Sequence, residues 1–392
     1  MTKNLKDEER DFDVFNQYVT FNEIKQQPQI WNETLEIFEK NKLEIARFLK
    51  NVLAKEGIRI VLTGAGSSAF VGQCVAPYLN QRLQNNVEFI ATTDIVSNPT
   101  EYLKPQVPTL LVSFARSGNS PESVATVELA KSLVKDLYQV ILTCNPSGKL
   151  AAEAKQDEKS YLILMPEATN DKGFAMTSSF TSMVLATLLF FSIDDLDKLS
   201  KDIKSISKDG EKILHEKMEL LFKVSSLDFE RMIFLGSSCL KGLARESALK
   251  VLELTSGKVM ASYDSYLGFR HGPKSMLNDK SIVVAYLSNN SYTRRYEVDL
   301  LREIVNENGN KKILSISQYH DEEVEQISDY FISICDTYKE FHDVFLLFDY
   351  ILNAQFIALF KSIKLEINPD NPSPEGIVNR VVKGVRIYPY NQ

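Results

Sequence analysis

The chain has 392 residues, 44% of them hydrophobic and 25% charged, the balance of a globular protein with material for two cores and not that of a disordered or fibrous chain. Its 45 Lys plus Arg are outnumbered by 52 Asp plus Glu, a net charge of -7, which excludes nucleic acid as a general partner and leaves room for a local anion site. The most apolar stretch, residues 183–191, is too short to cross a bilayer, and the opening MTKNLKDEERDFD is charged where a signal peptide needs an apolar core, so a cytoplasmic location with no membrane partner is expected.

Residues 1–52 read as an N-terminal helical segment. Thr20 and Glu23 have capping-box spacing, and Trp31, Leu35, Ile37 and Phe38 keep helical intervals. The pattern then changes: IRIVLTGAGSS is a β-branched run ending in glycines, and the AFVGQCVAPYLNQRL that follows is helical. Further strand-like runs, VEFIATT, TLLVSFARSGNS, YQVILTCNPSG and SYLILMPEAT, alternate with helical stretches such as PESVATVELAKSLVKD. This βαβ rhythm predicts a first doubly wound parallel sheet over residues 53–195. The charged, periodic stretch 196–225 reads as connecting helices with a solvated face.

MIFLGSSCLKGLARESALKVLEL then restates strand, Gly-Ser-Ser loop and helix, with strands following at KVMASY, SIVVAYLSNN, KKILSIS and DYFISI. A second domain of the same kind is predicted over 226–366. Ser67-Ser68 and Ser237-Ser238 stand about 170 residues apart, a spacing that suits a duplicated α/β domain and not a solenoid. HDVFLLFDYILNAQFIALFKSIK is a long apolar helix, and the proline-rich tail 367–392 cannot begin as one. The expected fold class is α/β: two tandem doubly wound parallel-sheet domains, flavodoxin-like or Rossmann-like, behind an N-terminal helical segment. Cys74, Cys144, Cys239 and Cys335 are scattered with no C-x-x-C pair, so buried thiols are expected in place of disulfides or a metal site.

GAGSSA at positions 64–69 fits the G-x-G-x-x-G/A dinucleotide fingerprint, and Asp94 ends the second predicted strand, where an NAD-binding protein places its ribose acid. An NAD(P)-dependent oxidoreductase is one reading of these residues. Against it, the Gly-Ser-Ser loop recurs in the second half, and the third strand also ends in a hydroxyl-rich loop, SFARSGNSPES. Ser67, Ser68, Ser117, Asn119 and Ser120 place side-chain donors beside the amides of two helix N-termini, and such a cradle suits one phosphomonoester. On a single loop these residues would do no more than cap a helix. Two adjacent loops of the kind favour the cradle.

Glu246, Lys250 and Glu253 are spaced i, i+4, i+7, which puts two acids and a base on one helical face. Taken alone, such a trio is a surface salt-bridge ladder. Here Ala248, Leu249, Val251, Leu252 and Leu254 cover much of the remaining surface and the helix follows a cradle-type loop, so the stripe is expected to border a pocket. His271 lies in GFRHGPKS, a loop bordered by glycine and proline, and is either an exposed loop residue or an acid-base group.

The pair GAGSSA and SFARSGNSPES, with ATTDIVSNP read as the strand between them, resembles the SIS (sugar isomerase) domain, and the second half resembles the tandem arrangement of aminosugar-phosphate isomerases. RESALKVLELTSGKV and YLGFRHGPKSML resemble the catalytic helix and histidine loop of the isomerase domain of glucosamine-6-phosphate synthase. From about residue 61 to residue 389 the chain is similar to the galactosamine-6-phosphate deaminase/isomerase family, also labelled tagatose-6-phosphate ketose/aldose isomerase. That resemblance implies a sugar-phosphate substrate and conversion of galactosamine 6-phosphate to tagatose 6-phosphate with loss of ammonia. It implies Ser68, Ser117 and Ser120 as phosphate contacts, with Ala115 where the synthase has a serine. Glu253 matches the base that moves a proton between C1 and C2, Lys250 a lysine near the reacting oxygens, and Glu246 a supporting carboxylate. His271 matches a ring-opening histidine that reaches into the neighbouring subunit's site.

No metal and no cofactor are implied. A homodimer or dimer of dimers with shared sites is, and the apolar helix at 344–360, expected to be incompletely covered by one subunit, points the same way. The synthase's C-terminal lysine has no match: Ile377 or Asn379 stands near that place, with Arg380 and Lys383 beyond, and no amidotransferase segment is recognised. Both features favour deamination over amination. A phosphosugar-binding regulator is the alternative, against which stand Glu253, His271 and an N-terminal segment that is not basic.

Overall fold

The computed structural model describes residues 11–335, 339–382 and 384–390. A 3-10 turn, Phe12–Gln17, leads into helices α1 (Val19–Lys25) and α2 (Gln27–Leu53). The expected capping box is not made. Tyr18 is the N-cap of α1 and has no side-chain cap bond; Thr20 donates to Asp370 of the tail at 2.7 Å, and Glu23 accepts from the amides of Lys172 and Gly173. A buried carboxylate makes stronger charge-assisted bonds to loop amides than a cap would offer, so distant partners win over the local motif.

The first sheet is built from β1 (Arg59–Thr63), α3 (Ser67–Leu83), β2 (Asn86–Phe89), α4 (Thr92–Ser97), α5 (Pro99–Tyr102), β3 (Thr109–Ala115), α6 (Pro121–Leu133), β4 (Leu137–Thr143), α7 (Lys149–Ala154) and β5 (Ser160–Leu164). All its strands are parallel, in the order β2-β1-β3-β4-β5, with Ile60 of β1 opposite Val87 on one side and Leu110 on the other. Residues of β1 and β3 are buried without exception, as expected of strands covered by helices on both faces. ATTDIVSNP is not a strand: β2 stops at Phe89 and Thr92–Ser97 is α4. The Thr92 amide donates to Gly64 O at 2.8 Å, which turns the chain, and Thr92 and Ile95 bury the helical face that results. Packing overrides the β-branched propensity. Asp94 therefore sits in the first turn of α4, away from any strand end, and the dinucleotide reading loses its acid.

Helix α8 (Ser178–Phe191) is buried along its whole length and is followed by α9 (Leu196–Glu216) and α10 (Met218–Ser225). The second half comprises β6 (Arg231–Leu235), α11 (Cys239–Leu254), β7 (Met260–Asp264), α12 (Tyr266–Phe269), β8 (Ser281–Tyr286), α13 (Ser291–Asn306), β9 (Lys312–Ser317), α14 (Glu322–Gln326), β10 (Tyr330–Ser333) and α15 (Asp343–Lys364). Its strand order, β7-β6-β8-β9-β10, repeats that of the first sheet position by position. Residues 344–362 of α15 are all buried within this one chain, so the helix does not present the uncovered face expected of residues 344–360. Helices α11, α10 and α9 pack against it, and the N-terminal segment completes the cover: Phe15 lies tilted against Phe360 and Phe21 edge-on to Phe356, at 5.2 and 5.7 Å between ring centres. All four cysteines are buried thiols.

The halves meet where α11 packs against α3. At Gly242 of α11 a Cβ would lie 2.8 Å from the Cys74 amide nitrogen and 2.9 Å from its sulfur, so the helices approach as closely as their backbones allow. Gly242→Ala should force them apart and cost about 1–3 kcal/mol by overpacking. A lowered urea midpoint would show it, and an unchanged one would mean that the crossing has slack.

Candidate active site

The C-terminal ends of β1 and β3 carry the two hydroxyl-rich loops. In the first, a Cβ on Gly64 would meet the Ser68 backbone at 2.6 Å, and Gly66 holds φ 56° and ψ -130°, a conformation costly for other residues. These glycines thus serve a tight strand-to-helix turn that delivers Ser67 and Ser68 as the first residues of α3. In the second loop Ser120 is the N-cap of α6, with Pro121 at the first helical position. Ser67, Ser68, Ser117 and Ser120 line one cavity of about 170 Å³, together with Glu253.

Their hydroxyls are not equivalent. Ser67 Oγ donates to Glu246 Oε1 at 3.0 Å and accepts from Lys250 Nζ at 3.0 Å, so it ties the first loop to α11. Among the described residues Ser68 Oγ has only the Met176 sulfur, at 3.8 Å, and Ser117 Oγ accepts from the Asn119 amide at 3.3 Å. Asn119 itself does not join the cavity. It is exposed, and its Oδ1 accepts from the Lys149 amide at 2.9 Å, fastening the loop to the start of α7.

Glu246, Lys250 and Glu253 do share a face of α11, and burial rules out the surface ladder. Glu246 and Lys250 have no exposed side-chain surface, while Glu253 keeps 24% of its own. Lys250 Nζ lies 3.3 Å from Glu246 Oε1 and 2.5 Å from Glu253 Oε2. Burial pushes Glu246 up to about 7 against the pull of Lys250. Burial also opposes the Lys250 charge, but the two carboxylates outweigh it and hold the ammonium above its ordinary range. The lysine is therefore the fixed charge of the trio. His271 is exposed on the loop after α12, its amide donating to Gly268 O at 2.9 Å, and does not line this cavity.

Other lining residues were not singled out from the sequence. Arg116 and Ser123 belong to the second loop and its helix; Phe174 and Met176 come from the loop before α8. That loop is held by the fully buried Asp171, whose carboxylate accepts from the amides of Thr177, Ser178 and Ser179 at the start of α8. An Asp shortly before a Thr-Ser-Ser helix start is a visible signal for such a cap. From the tail, Asn379 and Arg380 reach the cavity, and Lys383 lies outside the described residues.

The second sheet shows the same turn put to another use. A Cβ on Gly236 would collide with Leu240 four residues on, as one on Gly64 would with Ser68, and Ser238 holds φ 50° and ψ -119°, close to Gly66. By backbone geometry Ser67 and Ser68 correspond to Cys239 and Leu240, so the Gly-Ser-Ser likeness is offset by two residues. The chain's own carboxylates fill this edge. Ser237 Oγ donates to Glu297 at 2.6 Å, the Ser288 amide donates to Glu297 at 2.8 Å, and Ser288 Oγ and the Asn289 amide donate to Asp343.

Two like-ordered parallel sheets, with an open serine cradle on the first, define a class, and the SIS domain family model matches residues 52–193. Over 379 residues the chain is 42% identical to the D-galactosamine-6-phosphate deaminase AgaS of Shewanella sp. (strain ANA-3), covering 96% of this chain and 93% of that one. The chain belongs to this deaminase family. Among solved structures it superposes with TM-score 0.89 on tagatose-6-phosphate ketose/aldose isomerase from Escherichia coli, at 39% identity, covering 96% of this chain and 98% of that one. A Clostridium novyi structure described as an enzyme of the same kind gives TM-score 0.94 at 52% identity, covering 96% and 97% of the two chains.

Proposed function

We propose that the protein converts galactosamine 6-phosphate and water to tagatose 6-phosphate and ammonia. The observation that carries this is the partly open Glu253 carboxylate at the serine-lined cavity, with a buried ammonium 2.5 Å behind it. The phosphate sits among the hydroxyls of Ser68, Ser117 and Ser120 and the amides of two helix N-termini. Glu253 takes the C2 proton of the opened sugar and returns it at C1, leaving a ketimine at C2. Water adds to that carbon, the amine leaves as ammonia, and the ketose phosphate remains. Lys250 holds the Glu253 carboxylate in place through a hydrogen bond, and Ser67 and Glu246 fix Lys250. No redox change occurs in this sequence.

Ring opening needs an acid-base group near O1 and O5, and His271 is assigned this task in the site of a second copy of the chain. Two features support the assignment: Glu253 also borders an apolar groove of about 570 Å³ lined by Leu249, Leu252 and Val378, and Leu267, on the His271 loop, is 48% exposed. If sites are shared, mixing inactive Glu253→Gln with inactive His271→Asn subunits should restore activity, because a mixed dimer holds one site with both lesions and one with neither. No recovery after demonstrated subunit exchange would place both residues in one chain.

The test of the function is ammonia release, followed side by side with galactosamine 6-phosphate and glucosamine 6-phosphate. The galacto epimer should be the faster substrate. Phosphosugar binding with no ammonia from either would turn the reading to a sensor.

A further inference from the structure

Two arginines line the serine cavity, one from the loop after β3 and one from the C-terminal tail. Arg116 follows β3 directly and is 8% exposed; Arg380 is half-buried in the tail. Arg116 donates to Phe174 O at 3.3 Å, Ala175 O at 3.5 Å and Arg380 O at 2.7 Å. Arg380 in turn donates to Asp171 O, through Nε at 2.9 Å and also through Nη2, and to Asn170 Oδ1 at 3.3 Å. Every acceptor is a carbonyl or amide oxygen. Among the described residues neither guanidinium has a carboxylate within ion-pair distance, although the protein as a whole is acidic.

Two neighbouring cations in a small, partly buried cavity disfavour each other, and burial together with Arg380 lowers the Arg116 pKa against the more distant pull of Asp171 and Glu253. A dianion entering between Ser68 and Ser117 would supply the missing negative charge, and the planar fork of arginine matches phosphate oxygens in a way that hydroxyls alone do not. The tail that carries Arg380 is held mainly by polar bonds: Ile377, Val378 and Val382 leave 83%, 52% and 51% of their surface exposed. A segment with so little apolar burial has low local stability, so its docking responds to one added ion.

We propose that Arg116 and Arg380 form a clamp on the phosphate group of the substrate, and that phosphate binding and docking of the tail over the cavity are thermodynamically linked. The assignment rests on the sugar-phosphate reading of the cavity and adds to it a second shell of charge, delivered by a segment more than 260 residues away in sequence. Linkage is reciprocal. Phosphate should hold the tail down, and a tail without its arginine should hold phosphate poorly.

Inorganic phosphate is the probe, measured by calorimetric titration on the full chain, with hydrogen exchange followed over residues 377–382. In the unaltered protein phosphate should slow exchange in this segment. Arg380→Gln should weaken phosphate binding about 10- to 100-fold, as loss of charge-assisted bonds does, abolish the protection, and raise KM for galactosamine 6-phosphate more than it lowers kcat. Arg116→Gln should do the same; because Arg116 is buried, Arg380→Gln carries the test if that variant does not fold. Phosphate affinity within about two-fold of the unaltered protein in Arg380→Gln, or a tail indifferent to phosphate, overturns the clamp. Arginine-dependent phosphate binding without ammonia release removes only the deaminase reading, whereas ammonia release with an unchanged KM in Arg380→Gln removes only the clamp.

Discussion

Glu253→Gln should lower ammonia release from galactosamine 6-phosphate by about 100- to 10,000-fold, the usual contribution of a positioned general base. The amide keeps the shape of the side chain and an oxygen for Lys250, so the cavity and its serines should persist. Phosphate affinity should therefore stay as it was. The more direct readout is exchange of the C2 hydrogen with deuterated solvent, since it reports proton abstraction whether or not the imine is hydrolysed. Exchange at the unaltered rate would reject Glu253 as the base. The other carboxylate of the helix is a poor substitute, because Glu246 is fully buried and outside the lining of the cavity.

Lys250→Met should have the largest effect on stability. The lysine has no exposed surface and donates to Ser67 and Glu253 while lying against Glu246. Met fills a similar volume without the charge, which leaves two carboxylates facing each other with no cation between them. Removing one partner of a buried ion pair costs about 3–5 kcal/mol. Urea unfolding should show a midpoint lowered accordingly, and Glu246→Gln in the same chain should restore part of it by removing one of the stranded charges. An unchanged midpoint in Lys250→Met would mean that water already reaches the trio. Activity should fall in both variants, because Glu253 loses the group that orients it.

The inner parallel strands, β1, β3, β4, β6, β8 and β9, were legible because each is an apolar run covered on both faces, and no partner need be known to see it. The acid-base face of α11 was legible for the same reason: its i, i+4, i+7 spacing is a property of one helix. What could not be read depends on partners far along the chain. Thr20 and Glu23 carry a capping pattern, yet their partners lie 350 and 149 residues away. Thr92 and Ile95 look like strand residues until the Gly64 carbonyl turns them into a helix. Ser237 and Ser238 copy the letters of the first loop but not its register, which only the backbone angles at Ser238 and Gly66 reveal. Arg116 lay in plain sight within SFARSGNSPES, but its importance appears only beside Arg380.

The close crossing at Gly242 has a consequence for how such an enzyme can change. The cradle belongs to the first half and the carboxylates to the second, and Ser67 spans the seam with bonds of 3.0 Å to both Glu246 and Lys250. The distance from phosphate to base is therefore a ruler whose length is set by two helix backbones in contact, at a position where any side chain would lengthen it. Loops and tail can drift and alter which sugar is admitted, but a shift of the seam alters the reach of the base itself. Variation in substrate should accordingly accumulate in the loop before α8 and in the tail, and the spacing between α3 and α11 should behave as the calibrated part of the machine.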